Sequence, residues 1–219
     1  MPAAHDPGRR PLPPDLARLL HDLRGPLNSI TMHAQLLKRA VGDDATAEDS
    51  ASTVLEQVRR LSDMLADAFA VAALERGALR TVDLAVVVES ARKDVGASVT
   101  LADGPWPSVH GDEALLTLAL GHLLRNAVEA TAAACGGRTP LVSAAVEAKE
   151  TVVSVRDWGP GLPSADPKVV IRPFHSTKRG HRGLGLVTVE RIARLHNGAL
   201  RLTALSDGAL VTLALPSGR

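Results

Sequence analysis

Residues 19–30 read LLHDLRGPLNSI and open a long apolar repeat. Between Leu20 and Val41, apolar side chains recur at alternating steps of three and four residues, the spacing of a helix face that packs against other helices. The repeat comprises Leu20, Leu23, Leu27, Ile30, Ala34, Leu37 and Val41. It predicts a bundle helix with His21 about 100° around from Leu20, on the flank of the bundle.

A second repeat with the same spacing predicts a second helix: Ala51, Val54, Val58, Leu61, Leu65, Ala68 and Ala72. The intervening segment 41–49, VGDDATAED, contains Gly42 as a helix stop and several polar residues that suit an N-cap. We therefore expect an antiparallel helical hairpin. A lone hairpin has too little core to be stable, so we expect two copies to pair as a four-helix bundle, which makes the protein a homodimer.

Composition and charge narrow the class of protein. The chain has 219 residues, 45% of them hydrophobic, and 25 basic against 24 acidic residues give a net charge of +1. This balance provides no general attraction to nucleic acid or an anionic membrane, so we expect neither as a partner. The sequence has no apolar run of roughly 18 to 20 residues and no signal-peptide layout, which predicts a cytoplasmic protein.

The chain is predicted to have a tail and two domains. Residues 1–14 are rich in Pro, Gly and Arg and lack apolar content, so they predict a disordered tail. The helical hairpin occupies residues 15–76, and residues 77–219 form a second domain. The fold class is therefore α+β, with a helical hairpin followed by an α/β sandwich.

Strand and helix patterns alternate within residues 77–219. The pattern predicts a strand at 79–84, a helix at Leu84–Val95, a strand at 98–104, a long helix at 112–134 and an amphipathic helix at 189–198. It also predicts two strand hairpins, one turning near Lys149 and Glu150 and the other at Asp207 and Gly208. Together these elements predict helices packed against a mixed sheet.

His21 is the first candidate for chemistry. A neutral imidazole is a nucleophile near pH 7, and a neighbouring carboxylate can hold its tautomer and accept its proton. Asp22 is the candidate carboxylate, although neighbours along a helix do not face each other. Pro26 frees the carbonyl of Asp22 and predicts a bend just after the histidine. The alternative interpretation is a solvated surface histidine beside an incidental proline.

A turn at the end of a strand suits a flat ligand. Residues 156–163 read RDWGPGLP, in which Gly159 and Gly161 let the backbone approach a ligand and Asp157 can accept a hydrogen bond from an amino group. Taken alone, the pattern also fits a common loop turn.

Two further motifs lie on helices. Gly183 and Gly185 stand at the entry to a helix, where free backbone N–H groups favour phosphate, although an ordinary glycine-rich helix start looks the same. Segment 122–130, HLLRNAVEA, puts Asn126 on the strongly apolar long helix, where a buried amide oxygen needs a partner such as a metal ion or its water. A helix-to-sheet hydrogen bond is the alternative there.

In this order, the motifs resemble the sensor histidine kinases of two-component signalling. The matching segments are HDLRGPLN (phosphoacceptor box), HLLRNAVEA (asparagine box), DWGPG (first glycine box), RPFHSTK (phenylalanine box) and RGLGL (second glycine box). The resemblance covers about residues 14–217. It implies a dimerisation and histidine-phosphotransfer hairpin followed by an ATP-binding domain of the GHKL (Bergerat) type. NAVEA and PFHSTK are most similar to the nitrogen-regulation and oxygen-sensing branch.

The resemblance implies a role for each matching residue. His21 would receive the γ-phosphoryl group of ATP with Asp22 as the assisting base, and Asn126 would hold Mg²⁺. Asp157 would bind the adenine amino group, in a pocket shaped by Gly159 and Gly161. Gly183 and Gly185 would approach the phosphates. Thr177 and Lys178 would contact the nucleotide from the side of a mobile lid at 162–182. The implied function is a protein histidine kinase that passes phosphate to an aspartate on the receiver domain of a response regulator.

Several residues depart from the family pattern. His122 replaces the first asparagine of its box, which could weaken Mg²⁺ or phosphate coordination. His181 and Arg182 stand where a small Gly-x pair is typical. Gly25 replaces the Thr or Asn that orients a water in many relatives, which predicts weak phosphatase activity towards the regulator. Only about twenty residues precede His21, so we expect the signal to arrive through a separate sensor protein, the bundle or the tail.

These departures leave two alternatives to the kinase. One is a non-catalytic histidine phosphotransfer adaptor with a degenerate ATP-binding domain, in which His21 relays phosphate from another protein. The other is a nucleotide-gated binding module in which His21 is not modified.

Overall fold

The computed structural model describes residues 14–40, 45–134, 137–174, 176 and 182–217, and at 14–22, 40 and 45 it describes the backbone only. The described residues up to Ala73 form one compact unit, and those from Leu74 onward form another. No helix in these ranges combines the length and the apolar content that a bilayer span requires.

The first unit is a helical hairpin of α1 (Pro14–Ala40) and α2 (Ala45–Ala72), as the two repeats predicted. The side chains buried between the helices are Leu27, Ala34, Ala51, Leu55, Val58 and Phe69. Helix α1 continues through Pro26, which lies inside it. Near the turn, the ammonium group of Lys38 on α1 donates to the Ser52 hydroxyl of α2 at 3.1 Å.

The second unit contains seven strands and four helices within the described residues. In chain order they are β1 (Arg80–Asp83), α3 (Leu84–Val95), β2 (Thr100–Leu101), β3 (Ser108–Gly111), α4 (Glu113–Ala133), β4 (Leu141–Glu147), β5 (Glu150–Arg156), α5 (Pro167–Val170), α6 (Gly185–Leu195), β6 (Ala199–Leu205) and β7 (Gly208–Pro216). Strands β1 and β3 form an antiparallel pair, and the other five form a sheet in the order β2-β4-β5-β7-β6. Only β2 and β4 pair in parallel within that sheet, so the predicted mixed sheet is confirmed.

Helix α4 is the centre of this unit. It packs against α3 and α6 and contacts β5 and β7 of the sheet. Its side chains at Leu116, Leu120, Leu123 and Leu124 are at most 2% exposed. They meet apolar side chains of the sheet and the neighbouring helices in one core, represented by Val87, Val142, Val153, Ile192 and Leu213. The long apolar helix predicted at 112–134 is therefore confirmed, and its position explains why it is apolar on most sides.

Short polar segments begin and end these helices. The carboxylate of Asp83 accepts from the amide of Ala85 at 2.8 Å, and that of Asp112 accepts from Leu115 at 3.2 Å, so each aspartate caps a helix N-terminus. Gly96 ends α3 in the left-handed conformation, with φ of 65°. These caps set the ends of α3 and α4, two helices that the sequence pattern predicted.

Some predictions were wrong in detail. The strand predicted at 98–104 is only Thr100–Leu101, and β3 was not predicted. Both hairpin turns lie one residue earlier than expected: Glu147 pairs with Glu150, so the turn is 148–149, and Leu205 pairs with Gly208, so the turn is 206–207. Ala148, the first residue of the 148–149 turn, adopts the left-handed conformation with φ of 51°.

Candidate active site

Asp157 lies directly after β5 and its backbone extends the pairing of that strand with β7. Its amide donates to the carbonyl of Ala209 at 3.0 Å. Its carboxylate Oδ1 accepts from the amides of Gly159 at 2.9 Å and Ala209 at 3.2 Å. The residue is 8% exposed, so these bonds hold a charged group in a largely buried position. The second oxygen, Oδ2, takes no part in these bonds, so it can accept a hydrogen bond from an amino group of a ligand.

Gly159 brings the turn into direct contact with α4. A Cβ at this position would lie 2.7 Å from Cβ of Ala130 and 2.8 Å from its carbonyl oxygen. The amide of the preceding residue, Trp158, donates to the Thr131 hydroxyl of α4 at 3.1 Å. Glycine at 159 is therefore required by close packing against a helix backbone rather than by turn geometry.

Gly185 brings the second glycine motif to the same helix. It is the first residue of α6, and a Cβ there would lie 3.5 Å from Nδ1 of His122 and 3.6 Å from the Asn126 side-chain amide. Gly183, two residues earlier, adopts φ of 68°, which favours glycine. The backbone at the start of α6 thus passes close to the His122 and Asn126 side chains of the asparagine motif.

These contacts share one stripe of α4. His122, Asn126 and Ala130 are spaced by four residues, so their side chains lie along one helix face. Gly185 approaches one end of that stripe and Gly159 the other. Burial, and then the charge of Arg125, lower the pKa of His122 from its usual 6.5, so its imidazole is neutral near pH 7.

Part of the site was not predicted from the sequence. Gly208, at the start of β7, adopts φ of 134°, and a Cβ there would lie 2.2 Å from the carbonyl oxygen of Asp157. A Cβ on Gly161, whose φ is 86°, would lie 3.4 Å from the carbonyl oxygen of Gly208. The β6–β7 turn therefore packs against the DWGPG turn. The Asp-Gly pair at 207–208 was the available signal, and it was interpreted only as a hairpin turn.

The structure places the remaining predicted residues as follows. His21 and Asp22 lie in α1, where only their backbone is described. Thr177, Lys178 and His181 lie outside the described residues. The segment predicted as a mobile lid contains the short helix α5, which the Asp166 side chain caps. The structure therefore places Asn126, Asp157 and the four predicted glycines in the second unit and the phosphoacceptor pair in the first.

The donor set of this site suits a nucleotide better than a resident metal ion. Within the described ranges, no group of three or more His, Cys, Asp or Glu side chains could hold a metal ion. Mg²⁺ usually keeps several waters and takes only one or two protein ligands beside substrate phosphates. One asparagine amide beside a helix start that has no side-chain cap fits that mode of binding.

Comparison with known protein families identifies both units. Residues 16–77 match the family described as "His Kinase A (phospho-acceptor) domain". Residues 111–219 match "Histidine kinase-, DNA gyrase B-, and HSP90-like ATPase". The chain belongs to the histidine kinase family. The family resemblance inferred from the five motifs is thereby confirmed, and the narrower likeness to the nitrogen-regulation and oxygen-sensing branch stays a prediction.

Curated histidine kinases are similar along nearly the whole chain. Sporulation kinase C of Bacillus subtilis is 26% identical over 91% of this chain, and the sensor-like histidine kinase SenX3 of Mycolicibacterium smegmatis is 30% identical over 92%. The chain spans about half the length of these relatives, 48% of the first and 56% of the second.

Solved histidine kinases share the fold. Full-length ShkA, in a crystal structure with AMPPNP, aligns with 94% of this chain and 46% of its own at a TM-score of 0.59 and 25% identity. The ATP-binding domain of PrrB from Mycobacterium tuberculosis aligns over its full length with 65% of this chain at a TM-score of 0.54 and 26% identity. The predicted hairpin followed by an ATP-binding domain of this family is therefore confirmed.

Proposed function

We propose that this chain is an ATP-dependent protein histidine kinase that autophosphorylates His21 and transfers the phosphoryl group to an aspartate of a response regulator. The observation that carries the proposal is the convergence of both glycine motifs on one stripe of α4. Gly185 approaches Asn126 and His122, and Gly159 packs on Ala130. This convergence supports a single nucleotide site that runs from Asp157 to the start of α6.

The residues of the second unit bind and orient the substrate in this proposal. The buried Asp157 carboxylate accepts a hydrogen bond from the adenine amino group, and backbone N–H groups at the start of α6 neutralise phosphate charge. Asn126 would hold Mg²⁺, which when bound neutralises the charge that develops on the phosphate oxygens. Phosphoryl transfer depends chiefly on such positioning and charge neutralisation.

His21 and Asp22 perform the transfer. An imidazole nitrogen of His21, which we assign as Nε2, attacks the γ-phosphorus, an N–P bond forms, and the bond to the bridging oxygen of ADP breaks. Asp22 accepts the proton from the other ring nitrogen, Nδ1, as the N–P bond forms at Nε2. In the second step the phosphoryl group passes to a carboxylate of a receiver domain, which docks beside His21 on the helical hairpin.

A second copy of the chain covers the exposed face of the hairpin. Some members of each apolar repeat are buried in the hairpin, whereas others are exposed. The exposed members include Ile30 at 47%, Leu37 at 60%, Val54 at 43% and Leu61 at 47%. A stripe of this kind on two adjacent helices suits a four-helix bundle. Leu37→Lys should shift the protein towards monomer in sedimentation velocity, whereas Gln35→Lys, on the same helix, should not.

The proposal is tested by incubating the chain with γ-labelled ATP and Mg²⁺. Wild type should acquire an acid-labile label, which His21→Gln and Asp157→Asn should abolish. His33→Gln and Asp103→Asn are the matched controls, since both residues are exposed and lie outside the site, and both variants should keep the label. A wild-type chain that stays unlabelled while binding ADP in calorimetry would contradict the kinase and favour the binding module.

The adaptor makes a different prediction in the same assay. A phosphotransfer adaptor takes no label from ATP, but His21 takes label from a phosphorylated receiver domain. The close approach of Gly185 to the asparagine motif favours the kinase, because it sets a helix N-terminus, which favours phosphate, beside the asparagine that would hold Mg²⁺.

A further inference from the structure

Four side chains outside the proposed nucleotide contacts form one connected cluster beside Asp157. Arg156 ends β5, Trp158 belongs to the DWGPG turn, Arg138 lies in the loop before β4, and Asp207 lies in the β6–β7 turn. The cluster thus joins three loops that are far apart in the sequence. None of its members has a role in the chemistry described above.

Arg156 holds the backbone of the DWGPG turn to the β6–β7 turn. Its Nη1 donates to the carbonyl oxygen of Asp157 and, at 3.3 Å, to that of Ala209. Its Nη2 donates to the Asp207 carboxylate and, at 3.3 Å, to the Asp207 carbonyl oxygen. The side chain is only 12% exposed, so the guanidinium group is held in one place by its acceptors.

Asp207 bridges two arginines. One carboxylate oxygen accepts from Arg156, and the other accepts from Nη1 of Arg138 at 3.0 Å. Desolvation raises the pKa of Asp207, but the hydrogen bonds and charges of Arg138 and Arg156 outweigh it, so the pKa lies below its usual value. The carboxylate is therefore ionised at neutral pH and holds both guanidinium groups.

The two guanidinium groups also lie against the ring of Trp158. The carbon at the centre of the Arg156 group is 4.2 Å from the ring centroid and that of Arg138 is 4.7 Å away, both within cation–π range. The indole N–H donates to the carbonyl oxygen of Thr139 at 2.9 Å. Side-chain contacts thus hold both Trp158, which follows Asp157, and Arg156, which precedes it.

We propose that Asp207 is a positioning residue for Asp157, because it anchors the guanidinium group that holds the Asp157 carbonyl. The inference rests on the proposed function, in which the Asp157 carboxylate reads adenine. Loss of the Asp207 charge removes the ion pair that anchors Arg156 and leaves it only bonds to carbonyl oxygens, so the peptide between Asp157 and Trp158 is held less firmly. The carboxylate becomes less well oriented towards the adenine amino group, so adenine binds less tightly.

The test compares Asp207→Asn with Glu150→Gln. Glu150 forms a similar ion pair with Arg201, with atoms 2.6 Å apart, on the same sheet but away from Asp157, so it controls for the loss of a surface charge pair. Calorimetry with ADP should give a Kd about five- to tenfold higher for Asp207→Asn and unchanged for Glu150→Gln, where tenfold corresponds to 1.4 kcal/mol.

Two further readouts separate positioning from a merely structural role. The ratio of GDP to ADP dissociation constants should fall in Asp207→Asn, because a poorly oriented carboxylate discriminates less between the two bases. In autophosphorylation the KM for ATP should rise while kcat is unchanged, the signature of lost uniform binding. Asp207→Glu should restore most of the ADP affinity, since it keeps the charge.

Failure of the inference and failure of the proposed function give different results. If wild type binds ADP and Asp207→Asn binds it within twofold of wild type, the positioning role is overturned. If wild type binds no adenine nucleotide, the proposed function itself is wrong. Should Asp207→Asn not fold, Arg138→Gln removes the more exposed partner of Asp207 and should raise the Kd for ADP about two- to threefold. An unchanged Kd in that folded variant also overturns the role.

Discussion

Two glycine-to-alanine substitutions at α4 should change stability in opposite directions. Gly159 packs onto the helix from outside, and a Cβ there would lie 2.7 Å from Cβ, 2.8 Å from the carbonyl oxygen and 2.9 Å from the carbonyl carbon of Ala130. Gly121 lies inside the same helix, is buried, and has no atom within 4 Å of an added Cβ. The pair therefore compares a methyl group that collides with one that has room.

The expected magnitudes follow from this geometry. Two of the three atoms closest to the Cβ of Gly159→Ala belong to the backbone of a central helix, so the DWGPG turn must move away, and overpacking of this kind costs about 1–3 kcal/mol. Gly121→Ala should stabilise the protein by roughly 0.5–1 kcal/mol, because alanine loses less backbone entropy in a helix. The two variants should thus differ by about 1.5–4 kcal/mol.

Urea unfolding followed by tryptophan fluorescence measures this difference in the full chain. The two tryptophans, Trp106 and Trp158, both lie in the second unit, so the signal reports on that unit and not on the helical hairpin. The midpoint should fall for Gly159→Ala and rise for Gly121→Ala. Equal midpoints, or the reverse order, would show that the DWGPG turn does not pack on α4 as described.

Three further changes test the core, the pH response and a helix cap. Leu124→Ala, at a side chain 0% exposed, should reduce the free energy of unfolding by about 2–5 kcal/mol in urea, and a loss below 1 kcal/mol would contradict its central position. Burial and the charge of Arg125 lower the pKa of His122 in the folded protein, so the unfolded chain protonates this histidine more readily. The free energy of unfolding should therefore fall as the pH drops below 6.5, and its dependence on pH should be weaker in His122→Gln. Asp83→Ala removes the cap on the amide of Ala85 and should lower the thermal midpoint, with a cost of about 1 kcal/mol, whereas Asp83→Asn should retain most of it.

Most of the fold and the identity of the main site residues could be predicted because their signals are local. The apolar repeats that predicted α1 and α2 and the aspartates at 83 and 112 that begin α3 and α4 act within a few residues of chain. The same holds for the glycine and asparagine motifs, whose spacing identified the family. The four-residue strand β3 was missed because its partner, β1, lies about 28 residues earlier and its own sequence, SVHG, shows no strong pattern.

The amino-acid sequence by itself determined the two modules, the family and the residues that carry its motifs, because periodicity, caps and turns are properties of neighbouring residues. Tertiary structure alone decided which distant segments support those motifs. The strand order places β7 beside β5, so Gly208 and Ala209 meet Asp157 although they are some 50 residues apart in the chain. Such contacts depend on how strands pair and how closely backbones approach, and neither is encoded in any single stretch of residues.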